Sequence, residues 1–312
     1  MMTNRYALLC KQEVTYGTDP VPTAAANAIL TDEPKITILG RKMERTYSKP
    51  AMGNIVGLNI GEGLKIAFNS EIKGSGTAGT APRHGALHRA CNMTEEIVAA
   101  TSVTYKPNSA VGNSDSADSV TIYFYYGGLL FKLLGARGTK TVNLTAKEYG
   151  KYGWEFTGIY GGPVDSVFPT CTFDTPVPPR FINAAFAFDG FVAVINNLTL
   201  DLANKVAQRI DANAATGITE YAVIDRNPKG KIDPEIAALA TKDFFAHWAA
   251  STQSALTATV GSAAGNITTI TAPKCQQDNA PAINKRDTVL THDISFALNP
   301  NAGNDELVIA YT

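Results

Sequence analysis

Gly74-Ser-Gly76-Thr-Ala-Gly79 spells GxGxxG between a strand-like and a helix-like segment, with Glu95 further on. In a dinucleotide site that pattern sets a pyrophosphate on a helix N-terminus and an acid, about 20 residues later, on the ribose. The segment before it alternates apolar with polar residues, whereas the first strand of such a fold is covered on both faces and nearly all apolar. The helix is also short and no train of βαβ units follows, so the stretch reads as a flexible Gly/Thr loop. His84, His88 and Cys91 fall at i, i+4 and i+7, one helical face carrying side chains that zinc accepts. No fourth ligand is close in sequence, and Pro82 and Gly85 weaken the first turn, so packing roles are expected. His247 and His292 sit in apolar-periodic segments and read as core or boundary residues. Carboxylates are evenly spread, and no GxSxG, HExxH or Walker loop occurs. No catalytic residue, cofactor or metal is therefore assigned. The aromatic run Tyr123 to Tyr126 lacks the interleaved Lys and Arg of a base-stacking platform and reads as a strand covered on both faces.

The elements that position these residues follow from composition and period. The 312 residues include 27 Lys+Arg and 28 Asp+Glu, a net charge of −1, and charged side chains make up 18%, against about 25% in an average soluble protein. A duplex-DNA binder needs surplus base to displace counterions, which is missing here. Low charge also predicts a surface largely covered by other subunits. Cys10, Cys91, Cys171 and Cys275 are far apart with no CxxC pair, so free thiols are expected. Near the N-terminus only Tyr6 to Cys10 is apolar, too short for an export signal, which predicts synthesis and assembly in the cytoplasm of the cell that makes it. The most apolar stretch, Phe181 to Ile195, is interrupted by Asn183 and Asp189 and predicts a buried strand pair, with no membrane span.

Period-two alternation dominates, as in Ile66, Phe68, Ser70 and Ile72, and Val120 to Tyr126 leads through Gly127-Gly128 into Leu129 to Leu134, a hairpin signature. Helices are expected only at Pro82 to Asn92, with Thr80 as cap, and at Lys242 to Ala250, capped by Thr241. The Pro- and Gly-rich stretch 166–180 predicts a linker between a first β domain, 1–165, and a second, 181–312. Element order repeats across it. Strands at Ile36 to Glu44 and Leu64 to Ile72, a helix, a hairpin and closing strands are matched by Asn197 to Val206, Gly230 to Ile236, the helix after Thr241, a hairpin at Leu256 to Thr271 and Leu290 to Leu298. An insertion near Thr94 to Asp118 reconciles the offsets, so a duplication is predicted. The first half carries 17 basic and 14 acidic residues and the second, from residue 166, carries 10 and 14, an asymmetry suited to head-to-tail neighbours.

Several ordered segments carry a resemblance: Lys11 to Pro20 (KQEVTYGTDP), Thr23 to Leu30 (TAAANAIL), Ser75 to Pro82 (SGTAGTAP), Lys132 to Gly138 (KLLGARG), Ala238 to Phe245 (ALATKDFF) and Gly303 to Leu307 (GNDEL). Together they resemble the tail tube proteins of long-tailed bacteriophages along essentially the whole chain. The resemblance implies a mainly β protein with a tail-tube-type sandwich or barrel and short flanking helices, here in two tandem copies. It implies no enzyme but a virion component, assembling with itself into rings that stack around a tape measure protein. Tail terminator and distal tail proteins would close the ends, and DNA would pass through without tight binding. A related ring protein that caps or joins the tube, a terminator or distal tail component, is the alternative. Two tandem units predict a ring of three chains with pseudo-sixfold symmetry in place of six chains. The loop Ser48 to Gly63 is the expected arm toward the next ring, with Ile210 to Lys229 as its counterpart and Thr15 to Pro34 as a second arm. The candidate contact residues are Tyr16, Pro20, Pro22, Pro50, Met52, Asn54, Ile55, Val56, Leu58, Ile218 and Tyr221.

Overall fold

A computed structural model describes residues 5–312, apart from the side chains of Glu33 and Glu62; residues 1–4 of the expected first domain lie outside the described residues. The chain is mainly β with two short helices, and the sheet does not close into a barrel. Alternation builds the central strands. In Leu58–Glu71, Leu64, Ile66 and Phe68 are buried while Lys65, Ala67 and Asn69 are half-buried, as a pleat with one core face requires. Val120–Tyr126, rich in β-branched and aromatic side chains, turns through Gly127 and Gly128 into Leu129–Thr145. Both glycines have φ > 0, at 60° and 88°, the conformation a two-residue hairpin turn of the primed type needs.

Strand pairing repeats. In the first half the antiparallel order is Asp32–Met43, Leu58–Glu71, Lys151–Asp165, Leu129–Thr145, Val120–Tyr126, Tyr6–Gln12. In the second it is Asn197–Asp201, Lys229–Ile232, Val289–Asn299, Thr268–Gln277, Gln253–Val260, Ala187–Phe188. The strands correspond one to one in chain direction and in neighbours. A helix follows the second strand in each half, Gly85–Ala90 and Phe244–Ala249. The expected insertion is a hairpin, Met93–Val98 with Ser102–Pro107, and a 3-10 turn at Asn113–Asp115.

The halves share one sheet and one core. Thr141–Thr145 pairs with Asn197–Asp201, and Val308–Tyr311 pairs with Ser102–Pro107. Ile66, Val142, Trp154 and Phe156 of the first half belong to the same buried cluster as Leu198, Leu200, Phe296 and Ile309 of the second. The GxGxxG segment is a third seam. Gly76 N–H donates to the Gly265 carbonyl at 3.0 Å and Gly74 N–H to Asn266 Oδ1 at 2.8 Å. The loop is therefore packed against the second half's hairpin turn and is not a flexible one. The stretch 166–180 is irregular but tied down, with Asp174 3.3 Å from the buried Lys73 and Asn266 Nδ2 donating to the Val177 carbonyl.

Local expectations need correction where tertiary contacts decide. Ile210 to Lys229 is not a loop. It contains the strand Ile218–Arg226, paired with Asn204–Ile210 around a turn at 211–217. Phe181 to Ile195 is irregular but for Ala187–Phe188, which pairs with Leu256 and Thr257, while Phe181 and Phe186 fill the core from outside any strand. The second helix is capped by Asp243, which accepts from Ala246 N–H at 2.8 Å, in place of Thr241, and the first has no side-chain cap.

A Cβ on Gly74 would overlap the Gly265 carbonyl, while one on Gly40 would meet nothing within 4 Å. Gly74→Ala is expected to cost about 2 kcal/mol by forcing this backbone contact apart. Gly40→Ala is expected to stay within about 0.5 kcal/mol of the parent. Denaturant midpoints of the two variants check the contrast.

Candidate functional site

Two polar nodes, both buried, lie where the halves meet. The first is built on the helix Gly85–Ala90, which places His84 and His88 one turn apart, facing the core. His84 Nε2 is 2.9 Å and His88 Nε2 3.1 Å from the hydroxyl of Tyr311, on the strand near the C-terminus, and Tyr152 reaches the same hydroxyl at 2.7 Å. His88 Nδ1 lies 2.6 Å from Lys140 Nζ, and the His88 ring lies against Tyr105 with centroids 4.4 Å apart. When Lys140 donates to Nδ1, the His88 proton sits on Nε2 and is given to Tyr311. Both ring nitrogens of His88 are thereby used. Among the described residues no group of three or more His, Cys, Asp or Glu side chains is placed to hold a metal. Burial lowers His84 to about 3 and, with the Lys140 charge beside it, pushes His88 well below its ordinary range. Burial also lowers Lys140 to about 7 and raises the Cys91 thiol to about 12, an inert core group.

The second node centres on Arg137 and Glu220, both almost fully buried and 3.0 Å apart. Arg137 Nη1 also donates to the Tyr221 carbonyl, its Nη2 to Asn113 Oδ1 and the Ala117 carbonyl, and its Nε to the Asp118 carbonyl. Glu220 accepts further from Asn113 N–H at 2.7 Å and from Arg209 at 3.1 Å. Burial alone would raise the Glu220 carboxyl, but the bonds from Arg137, Asn113 and Arg209 outweigh it and hold the carboxyl below its usual range. A buried pair this fully bonded ties the insertion, the long strand and the second hairpin into one geometry.

Tyr16 belongs to this node. Its ring lies under the Arg137 guanidinium at 4.8 Å and its hydroxyl accepts from Tyr221 N–H at 2.7 Å. Tyr221, Ile218 and Pro22 are buried within the chain and Pro20 is half-buried. The tip of the long first hairpin is different. Pro50, Met52, Asn54, Val56 and Leu58 are exposed and Ile55 is half-buried, with Met52 packed on nothing. His247 touches Asp189 and Ser254, and His292 packs against Phe244 and Phe245. Tyr123 and Phe124 are buried, whereas Tyr126 is partly open to solvent at the strand's end.

Lys140, Arg137, Glu220 and Tyr311 were not singled out from the sequence. Their one signal is parity: Lys140 stands on the inward face with Gly138, Val142 and Leu144, and Glu220 with Ile218 and Ala222. Charge at an inward position marks a buried partner.

With this geometry in place, the model of the phage tail tube protein family matches residues 3–299. The chain belongs to the phage tail tube protein family, a structural component of the virion tail that assembles with itself into a tube. No curated protein matches the chain. No helix among the described residues is long and apolar enough to cross a membrane.

His84, lowered to about 3, and His88, held well below its ordinary range, stay neutral in the folded protein as the pH falls below about 6.5, so the unfolded chain takes up protons that the folded chain refuses. Stability contributed by the two histidines is present above pH 6.5 and lost as the pH falls, by about 1.4 kcal/mol per pH unit for each. The thermal midpoint is expected to drop between pH 7 and pH 4, with a shallower slope in His84→Gln. Calorimetric scans across that range check it, and parallel slopes would remove His84 from the effect.

Proposed function

We propose that this chain forms the tail tube as stacked rings of three copies, each copy filling two of six quasi-equivalent positions around a channel. The observation that supports this reading is the repeated six-strand order, one sheet topology used twice in one chain. Its two units, 1–165 and 181–312 with 166–180 between them, describe a repeated topology within one continuous core and not bodies that fold apart. Open sheet edges recruit further strands, and joining them around a ring leaves none exposed.

The exposed tip of the first hairpin, with Pro50, Met52, Asn54, Ile55, Val56 and Leu58, is suited to reach the next ring, and the turn 211–217 is its counterpart. Tyr16, Pro20, Pro22, Ile218 and Tyr221 support these projections from within the chain. In this reading the channel holds the tape measure protein during assembly and later conducts the genome to the host. Terminator and distal tail proteins close the two ends. A net charge of −1 leaves little general attraction for phosphates, which favours passage over retention.

Negative-stain imaging of the purified chain is expected to reveal tubes or stacked rings. The smallest ring, measured by native mass spectrometry, is expected at three times the 33.1 kDa of the chain. A ring of six full chains would contradict the assignment, as would a compact monomer at high concentration.

A further inference from the structure

The seam between the two halves identifies which edges meet between two copies. Registers align the repeats residue by residue. Thr139 faces Glu155 and Asn143 faces Lys151 in the first half; Ala282 faces Asp293 and Arg286 faces Val289 in the second. The strand Ala282–Arg286 thus continues Thr268–Gln277 as residues 139–143 continue the start of Leu129–Thr145. Likewise Ile36 faces Ile66 and Ile38 faces Leu64, matching Leu198 on Ile232 and Leu200 on Gly230. The break of register between Leu39 and Arg41 falls where the second hairpin is interrupted after Asp201.

In the first unit the outer edge of Thr141–Thr145 is filled by Asn197–Asp201, the opening strand of the second unit. The corresponding outer edge of Ala282–Arg286 has no strand partner among the described residues, and neither has the outer edge of Asp32–Met43. Exposure follows the same division. Ile38 is 53% exposed where its counterpart Leu200 is 0%, and Leu290 is 54% exposed where its counterpart Tyr152 is 0%. Ile283, at 62%, stands where Lys140 is 1% exposed. Ile38 on one open edge and Ile283 on the other are thus uncovered, whereas Leu200 is buried at the internal seam and Lys140 and Tyr152 are buried beside it against His88 and Tyr311.

We propose that a second copy of this chain completes the seam: Ala282–Arg286 of one copy pairs antiparallel with residues 37–41 of the next, Asn284 opposite Leu39 and Arg286 opposite Thr37. The pairing rests on the ring reading and adds its edges and register.

Directly opposed residues of an antiparallel pair have Cα atoms about 4.5–5.5 Å apart, within disulfide reach. The test is the double variant Leu39→Cys/Asn284→Cys in a Cys171→Ala background, since Cys171 is half-buried and the other three thiols are buried. Assembled particles are oxidised and run on a non-reducing denaturing gel. Covalent dimers and trimers are expected, with the ladder ending at three chains, and at least fivefold less product from Leu39→Cys/Ala282→Cys, two residues out of register. Each single cysteine variant is expected to stay monomeric. A ladder that runs to six chains would support the edge pairing and overturn the three-chain ring. Particles visible by imaging without linked chains would overturn the pairing and leave the ring reading standing. As a second measurement, Ile38→Asp is expected to keep the circular dichroism of the parent and to lose particles; particles at the parental level would also overturn the pairing.

Discussion

A strand edge carries a row of N–H and C=O groups that must find partners, and which edges close within the chain decides the rest of this structure. Between residues 141–145 and 197–201 an edge of the first unit is closed by the second. Between Val308–Tyr311 and Ser102–Pro107 the second unit is closed by the insertion of the first. These two ladders convert a repeated topology into one sheet with one core. They also bring the two polar nodes to the junction, where Tyr311 meets His84 and His88 and where Arg137 meets Glu220.

The nodes set the relative placement of the units more sharply than apolar packing can. Apolar contact tolerates sliding, whereas a buried guanidinium with five acceptor contacts, or two imidazoles bonded to one phenol, has few satisfied arrangements. Removing one partner leaves the other buried and unpaired, at a cost of about 3–5 kcal/mol for an ion pair. The GxGxxG segment has the same part in backbone form. Gly74 has no room for a side chain because the second half's turn at Gly265 comes within hydrogen-bond distance of the main chain, while Gly76 and Gly79 hold positive φ, and Gly79 is closed in by the 98–101 turn of the first half.

Much of this was legible from residue order. Period-two alternation located the central strands, Gly127-Gly128 marked a hairpin, and the repeated succession of strands, helix and hairpin matches the sheet order. What stayed hidden depends on contacts between residues far apart in sequence. Ile218–Arg226 is a strand because Asn204–Ile210 lies beside it, while its Asp, Glu and Arg content resembles a loop. Phe181 to Ile195 is apolar enough for a strand pair yet is used as irregular core filling. Helix caps moved by a few residues because a local bond, Asp243 to Ala246, beat the neighbouring threonine. At the nodes, the inward parity of Lys140 and Glu220 was visible, but their partners stand 52 and 83 residues away in the chain.

In the proposed tube one chain supplies two equivalent positions in the wall, joined inside the chain by the same edge contact that joins neighbours. A helical reconstruction of the assembled tube at side-chain resolution measures this directly. Six sheet units per ring from three chains are expected, with the 141–145/197–201 ladder alternating around the wall with one between 282–286 and 37–41 of adjacent chains. A wall in which neighbouring chains meet through other strands, or in which six full chains form each ring, would contradict it.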